Sequence, residues 1–101
     1  MTASELYDIV SAPHWATCWP EGVDYREGQW CIGVVEIYPA HAALMFEASA
    51  IRTLIEREGC MELHHPDGTV GTVILWLLKS KLHRGPTLLH ALDSALKAVT
   101  A

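Results

Sequence analysis

Three cysteines and six histidines carry most of the chemical potential of this 101-residue chain, and their spacing decides how much of it is usable. No Cys-x-x-Cys, His-x-x-x-His or His-Glu-x-x-His occurs, so the recognised zinc-ligand spacings are missing. His64 and His65 are neighbours in a stretch that reads as a strand, where adjacent side chains point to opposite faces and cannot chelate together. Cys60 and His64 share a face, but at ~3.3 Å per residue they stand about 13 Å apart, too far for one metal ion. No nucleophile motif frames any Cys–His pair. Ser11, Ser49, Ser80 and Ser94 lie outside a Gly-x-Ser-x-Gly context, and no phosphate-cradling glycine loop is present. Glu36 or Glu62 could join His64 as an acid–base pair, although a cross-strand surface pair is the commoner meaning. The expectation is a protein that is not an enzyme and carries no cofactor or metal. A small enzyme or metal-dependent factor using Cys60 and His64 is the alternative.

The elements that would position such residues are organised by the stretch Cys60–Lys79, which reads as a β-hairpin. Pro66-Asp67-Gly68 has the chemistry of a three-residue turn, with Gly68 taking the positive φ. Pairing His65 with Thr69 would set Met61 opposite Val73, Leu63 opposite Gly71, Glu62 opposite Thr72 and Cys60 opposite Ile74. One face then collects Met61, Leu63, Val73, Leu75 and Leu77 as a core face. The other collects Cys60, Glu62, His64, Thr72, Ile74, Trp76 and Leu78, whose apolar far end should meet something else.

Upstream, Thr2-Ala-Ser-Glu5 fits a capping box before a short helix with Leu6, Ile9 and Val10 on one stripe, and Pro13 ends it. Residues 13–28 read as a long irregular segment holding Trp15, Trp19 and Tyr25 with Glu21, Asp24 and Glu27, partly offset by Arg26. Those aromatics either form a contact surface or fold back as a lid on the core. Gln29 to Tyr38 reads as one strand, apolar on both faces and therefore central. Pro39 opens a helix running to Glu58, with Leu44, Ala48, Ile51 and Ile55 as its apolar stripe and Gly59 as its stop. Met45 and Phe46 fall off that stripe. Either they form a sticky patch, or 42–47 is a strand and the helix begins near Ser49. Gly85-Pro86-Thr87 starts a last helix whose Leu88, Leu89, Leu92, Ala95, Leu96 and Val99 should pack on the core face of the hairpin.

Length allows one domain, residues 1–101, and the element order predicts an α+β fold: helix, strand, helix, hairpin, helix around a largely antiparallel sheet of three to four strands. Half the residues are apolar and the mean hydropathy is +0.18, high enough that some apolar area is expected in a dimer or partner interface. The odd, scattered cysteines point to free thiols in a reducing compartment. Neither a secretory leader nor an apolar run of membrane-spanning length is seen, so the expected location is cytoplasmic, with no membrane partner. The net charge is −5, and it is uneven. Residues 1–67 hold three basic against eleven acidic residues, or −8, while residues 68–101 hold four against one, or +3. That balance makes nucleic acid an unlikely partner. Lys79, Lys81 and Arg84 form the local basic candidate, more simply read as a solvated loop.

Leu54-Ile-Glu-Arg-Glu-Gly59 ahead of a strand, and Gly85-Pro-Thr-Leu-Leu-His-Ala-Leu-Asp-Ser-Ala-Leu-Lys-Ala-Val99 as the closing helix, resemble small phage-encoded α/β proteins of the ABA-sandwich kind. The resemblance covers about a fifth of the chain. It implies a phage or prophage origin and brings no catalytic residues. It also implies a role, shared with anti-CRISPR-type inhibitors, of binding and inhibiting a host or defence protein complex. The expected contact surface is Trp15, Trp19, Glu21, Asp24, Tyr25 and Glu27, joined by Phe46. A homodimer through Trp76 and Leu78 is compatible with each of these readings.

Overall fold

The computed structural model describes residues 1–64 and 72–100. Helix α1 (Ala3–Val10) starts where Thr2 accepts from the Glu5 amide at 3.2 Å, and it buries Leu6 and Val10. A 3-10 helix (Pro13–Cys18) follows and buries Trp15 and Cys18. Strands β1 (Val23–Arg26), β2 (Gln29–Ile32) and β3 (Val35–Ile37) make an antiparallel meander in spatial order. Helix α2 (Pro39–Glu58) leads to a second three-stranded antiparallel sheet of β4 (Met61–His64), β5 (Val73–Leu77) and β6 (Lys81–Gly85), and α3 (Leu88–Thr100) closes the chain. The fold is α+β, as expected, but the strands form two sheets rather than one.

Three sequence-based expectations need correction here. The strand 29–38 is a hairpin, because Gly33 adopts φ +61° and turns the chain back after Ile32. The segment 13–28 is not irregular, since it holds the 3-10 helix and β1. The basic stretch 79–84 is not a loop, since β6 begins at Lys81.

The register of β4 against β5 also differs. Met61 pairs with Leu77, Glu62 with Trp76, Leu63 with Leu75 and His64 with Ile74, four residues from the expected pairing. The shift sets long apolar side chains opposite one another where the expected register put Leu63 against glycine. Because the displacement is even, the alternation of faces survives: Leu75 and Leu77 are fully buried and Trp76 faces out, but Leu63, expected on the core face, is 49 % exposed. The Pro66-Asp67-Gly68 turn lies outside the described residues.

Helix α2 is continuous from Pro39, which excludes the strand alternative for 42–47, and Gly59 (φ +88°) caps it through its amide to Ile55 O at 2.9 Å. It is turned differently from expectation. Ala42, Phe46, Ala50, Leu54 and Glu58 are buried, four residues apart, while Leu44 is 65 % and Ile55 43 % exposed. Alanines on the buried side let α1, the 3-10 helix and α3 approach closely, and Phe46 fills the gap between them. Helix α3 buries Leu89, Ala91, Leu92, Ala95 and Leu96 against β5, β6 and α2. Gly85 permits its close approach, because a Cβ there would stand 2.6 Å from the Ala91 nitrogen. The molecule measures 39 × 30 × 18 Å. With layers ~10 Å apart, 18 Å is a two-layer thickness, so each sheet keeps one face uncovered.

Candidate functional site

The aromatic residues expected at a contact surface instead build the core between α1, the first sheet and α2. Trp15 and Phe46 are 0 % exposed. Phe46 is met edge-on by Trp15 at 6.0 Å, Trp19 at 4.9 Å and Trp30 at 5.3 Å between ring centroids. Tyr25 packs on Trp30 at 5.0 Å and stacks on Tyr7 at 4.4 Å. The indole N–H groups find acceptors: Trp15 donates to Asp93 Oδ1 at 2.7 Å, Trp19 to Val23 O at 2.6 Å and Trp30 to Ala3 O at 3.1 Å. Of the two sequence readings of this segment, folding back on the core is the one observed. Phe46, expected to be exposed, is the centre of the cluster.

The carboxylates of the same segment remain outside. Glu21, Asp24 and Glu27 are exposed. Asp24 pairs with Cys31 and Cys31 with Glu36, so two carboxylates flank one thiol on the outer face of the first sheet. Gln29 lies beside Glu36 and, with its amide turned nitrogen-first, donates to the carboxylate at 2.8 Å. Arg26 turns its guanidinium to the carbonyl of Gly33. Arg26, Glu27, Gln29, Cys31, Val34 and Glu36 line a cleft of about 600 Å³. Along the turn and edge of the same sheet stand Val34, Val35 and Tyr38, which are 96 %, 62 % and 83 % exposed. Sequence reading missed these three by placing them inside one central strand. The signal that could have found them is Gly33 in Ile-Gly-Val, a two-residue hairpin loop.

Two polar clusters hold groups capable of acid–base chemistry. His14 Nε2 lies 2.5 Å from Asp93 Oδ1, the atom that also accepts from Trp15. The adjoining cleft of about 330 Å³ is lined by Pro13, His14, Thr17, Arg57, Val99 and Thr100. Of its two hydroxyls, that of Thr100 donates to Leu96 O at 2.7 Å. At the C-terminal end of α2, buried Glu58 accepts from the Ser80 hydroxyl at 2.5 Å and the Lys79 amide at 3.1 Å, with His83 Nε2 3.0 Å from Ser80 Oγ. The serine proton is committed to the carboxylate, so this serine is not activated by the histidine beside it. Burial lowers the His83 pKa, partly opposed by the Glu58 charge. The cluster works as a latch between α2 and the β5–β6 turn. Lys79 Nζ and Lys81 Nζ reach the Arg57 and Leu78 carbonyls at 3.0 and 3.1 Å, which occupies two members of the basic candidate.

Cys60 is exposed, while His64 is bonded to Glu62 at 3.1 Å. Among the described residues no three His, Cys, Asp or Glu side chains converge as a metal site, and no helix is long and apolar enough to cross a membrane. Comparison with family models, curated proteins and solved structures gave no match to this chain.

Proposed function

We propose that this chain is a non-catalytic protein-binding module that meets a basic partner surface through the outer face and hairpin tip of its first sheet. One observation carries the reading: exposed Val34 lines the same cleft as Glu27 and Glu36, Glu36 shares its cross-strand row with Asp24, and Tyr38 is exposed just past the end of β3. Exposed anchors with a charged border are the anatomy of an interface, and a lone guanidinium among the carboxylates leaves the border acidic. Relative to the contact surface expected from sequence, Asp24 and Glu27 stay in the proposal, and Tyr38 with Val34 takes the place of the internal aromatics. Inhibition of a host or defence complex remains a proposal supported by the phage-protein resemblance alone.

The test is capture of partners from host lysate on immobilised protein, comparing wild type with Asp24→Lys/Glu36→Lys and with Val34→Ser/Tyr38→Ser. Loss of one stoichiometric partner in both variants, with melting unchanged, is the expected result. A partner retained by both variants would remove this surface from consideration.

A further inference from the structure

The first sheet leaves one of its two edges open, and the alternation of its hydrogen bonds fixes which groups that edge presents. Gly33 at φ +61° and Val34 form a two-residue loop between the paired residues Ile32 and Val35. Glycine in the first of those places is what a type II′ turn requires. The residues flanking such a loop exchange both main-chain bonds, and bonded and non-bonded pairs then alternate along the ladder. Ile32–Val35 and Trp30–Ile37 are therefore the bonded pairs, while Glu36, opposite Cys31, turns its amide and carbonyl away from β2. Strand β3 ends the spatial order of the sheet, so both groups lie on a free edge. Among the described residues no backbone group from outside the sheet meets them. The same alternation, counted from the Glu27-Gly28 turn, sends the Val23 amide and carbonyl out from the opposite edge. There the chain covers itself: the Val23 amide donates to Pro20 O at 3.3 Å, and Trp19 Nε1 donates to Val23 O at 2.6 Å. One edge is capped and the other is open.

We propose that the open edge takes an added strand: an extended, antiparallel partner segment whose central residue is Lys or Arg, with apolar residues two places to either side. The proposal rests on the reading of the first sheet as an acidic contact surface, and it names the part of the partner held there. Bonding to the Glu36 amide and carbonyl sets one partner residue directly opposite Glu36, with its side chain on the same face as that carboxylate. Asp24, Glu36 and, at the turn, Glu27 outnumber Arg26 on this side of the sheet, so the residue that fits is basic. Gln29 steadies the Glu36 carboxylate and leaves it lone pairs for a second donor. Val34 and Tyr38 stand two residues to either side of Glu36, and both are largely exposed. Each lines a cleft that it shares with Glu36: the one of about 600 Å³ at Val34, and one of about 510 Å³ at Tyr38 that also includes Trp30, Ile37 and Pro39. Those clefts receive the apolar residues. Strand addition divides its work in this way, main chain supplying affinity and alternate side chains specificity. Because β3 is three residues long, the pairing is short, and an isolated peptide binds weakly.

Titration of the isotope-labelled protein with the peptide acetyl-Val-Thr-Lys-Thr-Val-amide, followed by NMR, tests it. The Glu36 amide is expected to move to lower field and to exchange more slowly with solvent, while the amides of Val35 and Ile37, already bonded within the sheet, change less. A peptide methylated on the lysine backbone nitrogen keeps every side chain and loses one main-chain bond. It should bind about tenfold more weakly, the worth of one such bond. Exchanging the peptide's lysine for glutamate should abolish binding to the wild type, and Glu36→Lys should restore it. A methylated peptide bound as tightly as the parent, or a titration that leaves the Glu36 amide unmoved, overturns strand addition. Binding that survives methylation but is lost in Glu36→Lys removes only the added strand and keeps the acidic surface. Failure of the surface itself is read separately, from lysate capture that Asp24→Lys/Glu36→Lys leaves unchanged.

Discussion

At the scale of single residues, the buried polar groups have well-defined partners, and two of them set measurable behaviour. His83 is 8 % exposed and its pKa lies below the usual imidazole value because burial disfavours the charged ring. The unfolded chain therefore takes up a proton first as the pH falls. Its contribution to stability is complete above the unfolded pKa of about 6.5 and is lost as the pH drops from there toward the lower folded value. Denaturant melts between neutral and mildly acidic pH should show that loss, and His83→Gln should flatten the profile in that window. Asp93 is the second case, because one of its oxygens serves both His14 and the buried Trp15 indole. Asp93→Ala should cost about 1–3 kcal/mol, the penalty for orphaning a buried donor. Urea unfolding measures it, and a loss below about 0.5 kcal/mol, the level of ordinary surface changes, would show that the indole is satisfied without Asp93.

At the scale of elements, α2 organises the molecule, with Phe46 in the aromatic core at one end and Glu58 in the latch at the other. Its orientation makes an unequal pair of predictions. Phe46→Ala should destabilise by about 3–5 kcal/mol, as large-to-small changes in a packed core do. Leu44→Ala, on the 65 % exposed side, should stay within about 0.5 kcal/mol. The reverse order of effects would place the helix in the other rotation. The latch explains how β6 forms at all. The Leu78-Lys79-Ser80 turn lacks glycine, and Lys81 closes it at φ +68°. Side chains are strained there, and Glu58, more than twenty residues earlier in the chain, holds the turn shut. Glu58→Ala should cost about 1–3 kcal/mol by leaving the Lys79 amide without its partner. Lys81→Gly in that background should recover part of it by relieving the backbone, and thermal melts of the two variants compare them directly.

For the molecule as a whole, the 18 Å thickness means that the core lies between the helices and one face of each sheet, and the outer faces are left for other work. Those faces differ in character. The first carries Asp24 and Glu36 in one row with Val34 exposed at its turn; the second carries Ile74 and Trp76 on its central strand, with Glu62 and His64 on β4 and Leu82 and Arg84 on β6. Capture of a basic partner by the first sheet should weaken as salt rises from about 0.05 to 0.5 M, where charge screening reaches contact distances. A partner interaction indifferent to salt would count against the acidic surface.

Much of this fold was legible in the sequence because local chemistry wrote it there. Thr2 and Glu5 mark the start of α1, Pro39 and Gly59 bracket α2, and alternation along 73–77 assigns the inner and outer faces of β5 whatever its register. The faces of the second sheet, and with them the outward placement of Trp76, follow from that alternation alone. Tertiary structure decided what local pattern leaves degenerate. Helix α2 offers two stripes, a Leu/Ile-rich one and an Ala/Phe one, and hydrophobicity alone favours the first. Close packing chose the second, since alanines admit neighbouring helices and a single phenylalanine completes a cluster of tryptophans distant in sequence. The same cluster drew Trp15, Trp19 and Tyr25 inward and left only their acidic neighbours at the surface. Strand β6 was hidden for a related reason: its turn is held by a carboxylate from another element, and no local residue pattern records a contact made across the fold.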